Sequence, residues 1–96
     1  MNFNYEPNRI TITDKTGKIV AEITFPMLLS DVVEVNQTFV DSSVRGQGIG
    51  NQLMTALANQ LSIEGKKAFC TCSYAQDWFT KHPEYDHVYV MRPEPL

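Results

Sequence analysis

Apolar and polar residues alternate with a two-residue period through the first third of the chain. Arg9 to Thr13 alternates polar with β-branched residues, and Asp14-Lys15-Thr16-Gly17 supplies a turn. Lys18 to Phe25 then alternates again, with Ile19, Ala21, Ile23 and Phe25 on one face. This pattern predicts a β-hairpin. Pro26 lacks a backbone donor and ends the second strand, and residues 27–31 read as a connection. A third strand is predicted from Val32 through Val40, with Val33, Val35 and Phe39 on one face and Gln37 among them.

The period changes after the third strand. Ile49, Leu53, Ala56, Leu57 and Leu61 recur at helical spacing, Asn51, Gln52, Asn59 and Gln60 lie largely opposite, and Gly65 suits the C′ position. In the strand that follows, Ala68, Cys70 and Cys72 share one face and Phe69 and Thr71 the other. Strand, helix and strand in this order form a right-handed crossover, so the strands ending at Val40 and Cys72 are expected to run parallel. Ala75 to His82 reads as a short helix before Pro83, and Val88 to Met91 as a last strand. The expected class is α/β (α+β): a mixed, mostly antiparallel sheet split at one parallel pair.

Between the third strand and the helix stands Val44-Arg45-Gly46-Gln47-Gly48-Ile49-Gly50. Without Cβ atoms at Gly46, Gly48 and Gly50 the backbone can turn tightly and bring several N–H groups to one anion. The helix N-terminus adds unpaired donors and a dipole of the right sign. A plain turn needs one glycine, and three cost folding entropy, so an anion site explains the segment better. No Lys follows these glycines at the helix start, which excludes a Walker A loop. From Gly46 the spacing is Gly-x-Gly-x-Gly, not the Gly-x-Gly-x-x-Gly of dinucleotide-binding folds.

Arg45, Gly48 and Gly50 do meet the pattern Arg/Gln-x-x-Gly-x-Gly/Ala. With the strand ending Thr38-Phe39-Val40, the helix carrying Leu53, Leu57 and Leu61, and the segment Cys72-Ser73-Tyr74, the chain resembles the GNAT superfamily of N-acetyltransferases. Within it, the resemblance is to small single-domain members that keep a Cys-Ser/Trp-Tyr segment, and it covers about residues 9–90. It implies a splayed parallel strand pair that admits acetyl-coenzyme A. Backbone at Phe39 and Val40 would then meet pantetheine, and the N–H groups of Arg45, Gly46, Gln47, Gly48, Ile49, Gly50 and Asn51 would meet pyrophosphate. A strand that opens from its neighbour leaves unpaired amides, and an amide-rich arm satisfies them. The implied activity is acetyl transfer from acetyl-CoA to an amine, either by direct attack within a ternary complex or through an acetyl-Cys72 intermediate.

That reaction needs a deprotonated amine, a stabilised oxyanion and a proton for the leaving thiolate. Glu34 is a candidate base or a solvent-facing strand carboxylate. Cys72 is a candidate acyl acceptor or a small buried hydrophobe, and Cys70 reads as core. A disulfide two residues apart in a strand would be strained, and two cysteines make no zinc site, so no metal is expected. Tyr74 is a candidate proton donor to the coenzyme A sulfur or a packed ring with a wet hydroxyl. The small subfamily often has His before the Thr of its first motif strand; here Gln37 precedes Thr38, and Gln is no base but can hydrogen-bond thioester or acceptor. Arg45 reaches the phosphates or is solvated, and Gln47 reads as exposed. His82 and His87 do not read as catalytic, and Trp78 and Phe79 read as core or lid.

Composition narrows the setting. Ninety-six residues suit a single minimal domain, so the acceptor is expected to bind on the same body. Hydrophobic content of 43% and charged content of 20% are ordinary for a globular protein. No apolar run nears the about 18 residues of a membrane span. Met1-Asn2-Phe3-Asn4-Tyr5 lacks the features of a secretory leader, and two unpaired thiols suit a reducing compartment, so a cytoplasmic location is expected. Net charge −3 and pI near 5.2 argue against nucleic acid as a partner, and Lys66-Lys67 is the only adjacent basic pair. Expected partners are acetyl-CoA and an unidentified amine, on a monomer or weak homodimer. A module that holds coenzyme A without turnover is the main alternative, and an interaction domain whose loop binds no anion is another.

Overall fold

Two four-stranded sheets share one hydrophobic core in the computed structural model, which describes residues 1–92. The strands are β1 (Asn2–Glu6), β2 (Arg9–Thr13), β3 (Ile19–Thr24), β4 (Met27–Leu29), β5 (Val32–Val35), β6 (Gln37–Val40), β7 (Lys67–Cys70) and β8 (Tyr89–Val90). The helices are α1 (Ile49–Glu64) and α2 (Ser73–Thr80). The first sheet, in the order β1-β2-β3-β6, is antiparallel throughout. In the second, β4-β5-β7-β8, the β4·β5 ladder is antiparallel and the other two are parallel.

The predicted hairpin is β2 and β3. Asp14 closes it, its N–H donating to the Lys18 carbonyl and its carboxylate accepting from the N–H and hydroxyl of Thr16. One face assignment fails there. Ile12 opposes Ala21 while Thr13 opposes Ile19, so Val20 is an extra, bulged residue that turns inward and leaves Ile19 40% exposed. Residues 2–6, outside any predicted element, form the edge strand β1; apart from half-buried Phe3 its residues are exposed, which leaves little alternation to read. Residues 27–31 are not a simple connection, because Met27–Leu29 folds onto β5 as a short irregular hairpin.

The strand predicted over Val32–Val40 is two strands in different sheets. Asn36 is the break, its N–H donating to the Thr24 carbonyl and its Oδ1 accepting from the Thr24 hydroxyl at 2.6 Å. The break inverts the facing. Val33 and Val35 are buried, but beyond Asn36 the inward residues are Thr38 and Val40, opposite buried Ile23 and Ala21, and Phe39 faces outward at 39% exposed. The parallel crossover ladder is therefore β5·β7, pairing Val32–Val35 with Lys67–Cys70, and a second parallel ladder joins β8.

Helix α1 lies across β2, β3, β6 and β7, burying Ile49, Leu53, Met54, Leu57, Ala58 and Leu61. Met54 and Ala58 widen the predicted stripe, while Ala56 is half-buried. Gly65 ends the helix at φ +70°, and Lys66 N–H reaches back to the Leu61 carbonyl at 2.9 Å. β7 stops at Cys70, so Cys72 stands off the strand, and α2 occupies Ser73–Thr80 instead of 75–82. Strand β8 is two residues long, shorter than the predicted 88–91. No described helix is long and apolar enough to cross a membrane.

Candidate active site

The site begins where the two sheets part. The Val35 carbonyl accepts from both Thr71 N–H (3.0 Å) and Cys72 N–H (3.2 Å); past it β6 follows β3 while the other chain turns into α2. Antiparallel pairing fixes which amides of β6 face the resulting gap. Asp41 N–H donates to the Val20 carbonyl at 2.8 Å, so Asp41, Phe39 and Gln37 bond toward β3, and Thr38 and Val40 present N–H and C=O away from it. The Phe39 backbone, expected to face the gap with that of Val40, is thus directed to β3. The Val40 carbonyl accepts from Arg45 Nε at 3.1 Å.

Asp41 starts the loop after β6 by capping a single 3-10 turn, Ser42–Val44, through bonds from Ser43 N–H and hydroxyl. Those bonds, the hydroxyl's first, and then Lys18 hold its carboxyl below the usual range. Gly46 (φ +82°) and Gly48 (φ +74°) then adopt left-handed conformations that a side chain would strain. Gly48 caps α1 without a side-chain acceptor, and its carbonyl receives Gln52 N–H. The N–H groups of Ile49, Gly50 and Asn51 therefore have no intrahelical partner, and no acidic residue occupies the first turn. Ile49 buries its side chain, Gln47 is exposed, and Gly50 has a different constraint: a Cβ there would lie 2.6 Å from the Tyr74 hydroxyl oxygen.

These parts enclose an open cavity of about 410 Å³, bounded by Thr38 and Val40, the loop, the first turn of α1, and Tyr74. Its lining includes the Arg45 cation and no carboxylate, so the residues present fit an anionic group at the loop end. At the other end, amide-bearing backbone on β6 fits an amide-bearing chain.

Cys72 occupies the N-cap position of α2, partly exposed. Burial pushes its thiol pKa up, but the Thr38 hydroxyl, 3.5 Å from Sγ, and the N–H groups of Ala75, Tyr74 and Thr38 outweigh it, leaving the pKa below the ordinary value. Cys70 is the opposite case: 3% exposed, its thiol is pushed up to about 12 by burial and by Cys72. Tyr74, 44% exposed, is also raised, by burial and then by Asp77 and Cys72. Glu34 accepts from the Thr71 hydroxyl at 2.8 Å, beside Cys72 in sequence. Gln37 is exposed on the face of β6 opposite Thr38. Val40, Arg45, Gly46, Gly48, Ile49, Gly50, Asn51 and Tyr74 line the cavity, and Cys72 stands outside the lining but touches its Thr38. Phe39 and Gln47 are also outside it, and Glu34 and Gln37 lie on the outward faces of β5 and β6 in different sheets.

His82 stacks on Trp78 with centroids 4.0 Å apart, and His87 Nε2 pairs with the Ser62 hydroxyl, so neither lines the cavity. Trp78 and Phe79 are core residues. Two contacts lie outside the sequence-based expectations: the Thr38 hydroxyl meets Cys72, and Trp78 Nε1 donates to Asn51 Oδ1 at 2.7 Å. The parity inversion at Asn36 hid the first, and no local pattern signals the second.

Residues 9–88 match the model of the GCN5-related N-acetyltransferase family. A GCN5-like protein of Staphylococcus aureus, solved by NMR, superposes with TM-score 0.78 at 26% identity, over 93% of this chain and 87% of that one. An acetyltransferase of Bacillus cereus gives 0.65 at 25% identity, over 77% and 54%. A Mycobacterium tuberculosis protein crystallised with CoA gives 0.64 at 23%, over 79% and 47%. The chain thus spans about half the length of the latter two. No curated protein sequence matches it significantly. The family match over the splayed strands, glycine loop and crossover helix means that this chain belongs to the GCN5-related N-acetyltransferases, which pass an acetyl group from acetyl-CoA to an amine.

Proposed function

We propose that the protein acetylates an amine by way of Cys72, with acetyl-CoA seated in the cavity between β6, the glycine loop and Tyr74. The observation that carries this reading is the Cys72 thiol, set at the start of α2, in contact with Thr38 across the splay and disposed toward thiolate. N–H groups from Gly46 through Asn51 hold the pyrophosphate, that of Arg45 being turned to the Ser42 carbonyl, and the outward amides of Thr38 and Val40 receive the pantetheine arm. Arg45 then exchanges its bond to Val40 for the phosphates in the same cavity.

The substrate supplies an acetyl group activated as a thioester. The Cys72 thiolate attacks its carbonyl carbon, a carbon–sulfur bond forms to Cys72, and the bond to the coenzyme sulfur breaks with its electron pair. Tyr74 gives that sulfur a proton. An amine approaching from the face of Glu34 and Gln37 attacks acetyl-Cys72, gives its proton to Glu34, and returns the thiolate; Glu34 then releases that proton to solvent, from which Tyr74 regains its own. Gln37 hydrogen-bonds the acceptor. Two reduced thiols suit work in the cytoplasm.

Intact mass after incubation with acetyl-CoA and removal of ligand tests the route. A gain of about 42 Da that is absent in Cys72→Ala establishes the acyl-enzyme. Turnover without that gain indicates direct attack by the amine, and binding without turnover indicates a coenzyme-holding module.

A further inference from the structure

We infer that the side-chain amide of Asn51 is an additional donor to the coenzyme phosphates, and that Trp78 fixes the direction in which it donates. The inference rests on the coenzyme reading of the cavity and adds a positioning residue to it.

Asn51 is the third residue of α1 and lines the cavity beside Gly50 and the loop. Its Oδ1 accepts the indole N–H of Trp78 at 2.7 Å. An indole nitrogen only donates, so the amide must turn its oxygen to Trp78 and its nitrogen away. Nδ2 then carries two donors, and among the described residues it has no hydrogen-bond partner in the protein. Asn51 lines the cavity from the first turn of α1, whose backbone N–H groups are free and where no carboxylate competes for these donors.

The indole that sets this orientation is itself fixed. Trp78 is 5% exposed, meets Phe79 edge-on at 5.1 Å, and stacks on His82 at 13° between planes. His82 Nδ1 lies 2.7 Å from the Trp78 carbonyl and ties the ring to the same turn. A side-chain amide held this way loses little rotamer freedom when it binds, which is the usual advantage of preorganisation. The same helix carries Cys72 at its start and Tyr74 against Gly50, so the Trp78–Asn51 bond also holds the thiol end in register with the phosphate end.

Calorimetric titration with CoA and with pantetheine, which lacks the pyrophosphate, separates this role from general support of the fold. Asn51→Asp keeps an acceptor for Trp78 but removes both donors and adds a negative charge. CoA affinity is expected to fall about tenfold or more in this variant, with pantetheine affinity unchanged. Asn51→Ala is expected to lose CoA affinity in the same selective way. Trp78→Phe keeps the aromatic stack, frees the amide to rotate, and is expected to weaken CoA alone by a few-fold. Asn51 variants that bind CoA like wild type, or lose both ligands equally, overturn the inference while the cavity assignment stands. Wild-type protein that binds no CoA overturns the cavity assignment and the inference together.

Discussion

Cys70 and Cys72 are two residues apart and have opposite acid–base preferences, because one ends a buried strand and the other starts a helix. Folding disfavours ionisation of Cys70 and favours it at Cys72. The consequences for stability have opposite signs. The Cys72 contribution is complete above the ordinary thiol value of 9.0 and is lost as pH falls through its lower folded value. The Cys70 contribution is complete below 9.0 and is lost as pH rises toward about 12. Iodoacetamide alkylation of the native protein is therefore expected to label Cys72 with a pH midpoint below that of a free thiol, and to leave Cys70 unmodified until the protein unfolds. Thr38→Val removes the hydroxyl that outweighs burial most, so its midpoint is expected to rise. An unchanged midpoint would mean that the helix amides alone hold the thiolate. Peptide mapping after timed quenching measures both sites at once.

Helix α1 is bounded by two glycines in left-handed conformations, Gly48 and Gly65, and both were visible as punctuation around an apolar period. They serve different ends. Gly65 only closes the helix, whereas Gly48 opens it and leaves its first amides free. Space around a Cβ at Gly48 is open, so Gly48→Ala costs only the backbone penalty, about 1–2 kcal/mol. Leu57→Ala leaves a cavity under the helix centre, where Leu57 is fully buried, and costs about 2–5 kcal/mol. Urea denaturation is expected to rank Leu57→Ala as the more damaging. Coenzyme affinity is expected to rank them the other way, since only Gly48 shapes the cradle. What the sequence concealed has equally local causes. The run from Val32 to Val40 carries β-branched or aromatic residues on both sides of Asn36, and although Asn is disfavoured in strands, it does not by itself announce that neighbouring residues pair with different sheets. Cys72 continues the alternation of Ala68 and Cys70, yet the strand has ended, because the Val35 carbonyl takes both Thr71 and Cys72 N–H groups. The loop and crossover helix were legible because glycine and helical period are local signals. The splay followed only from the family resemblance, and its position at Asn36 from neither resemblance nor local signal, because it depends on which partner each half-strand finds.

At the scale of the molecule, the site is the discontinuity between the sheets. β5 and β6 are consecutive in the chain, but β5 pairs with β7 and β6 with β3, so the gap is bounded by backbone that belongs to each sheet separately. A ligand lying along β6 supplies the strand that β7 does not continue. Amide hydrogen exchange tests this directly, since the alternation along β6 assigns each amide to one side. In the free protein Phe39, bonded toward β3, is expected to exchange slowly, and Val40, directed to the gap, to exchange faster. CoA is expected to slow Val40 and Thr38 while leaving Phe39 as it was, and to slow Gly50 and Asn51 at the helix start. Pantetheine is expected to protect the β6 amides alone, because it lacks the group that the helix start binds. Uniform slowing across both sheets would indicate that ligand only raises global stability, and protection of Phe39 instead of Val40 would reverse the facing that Asn36 imposes.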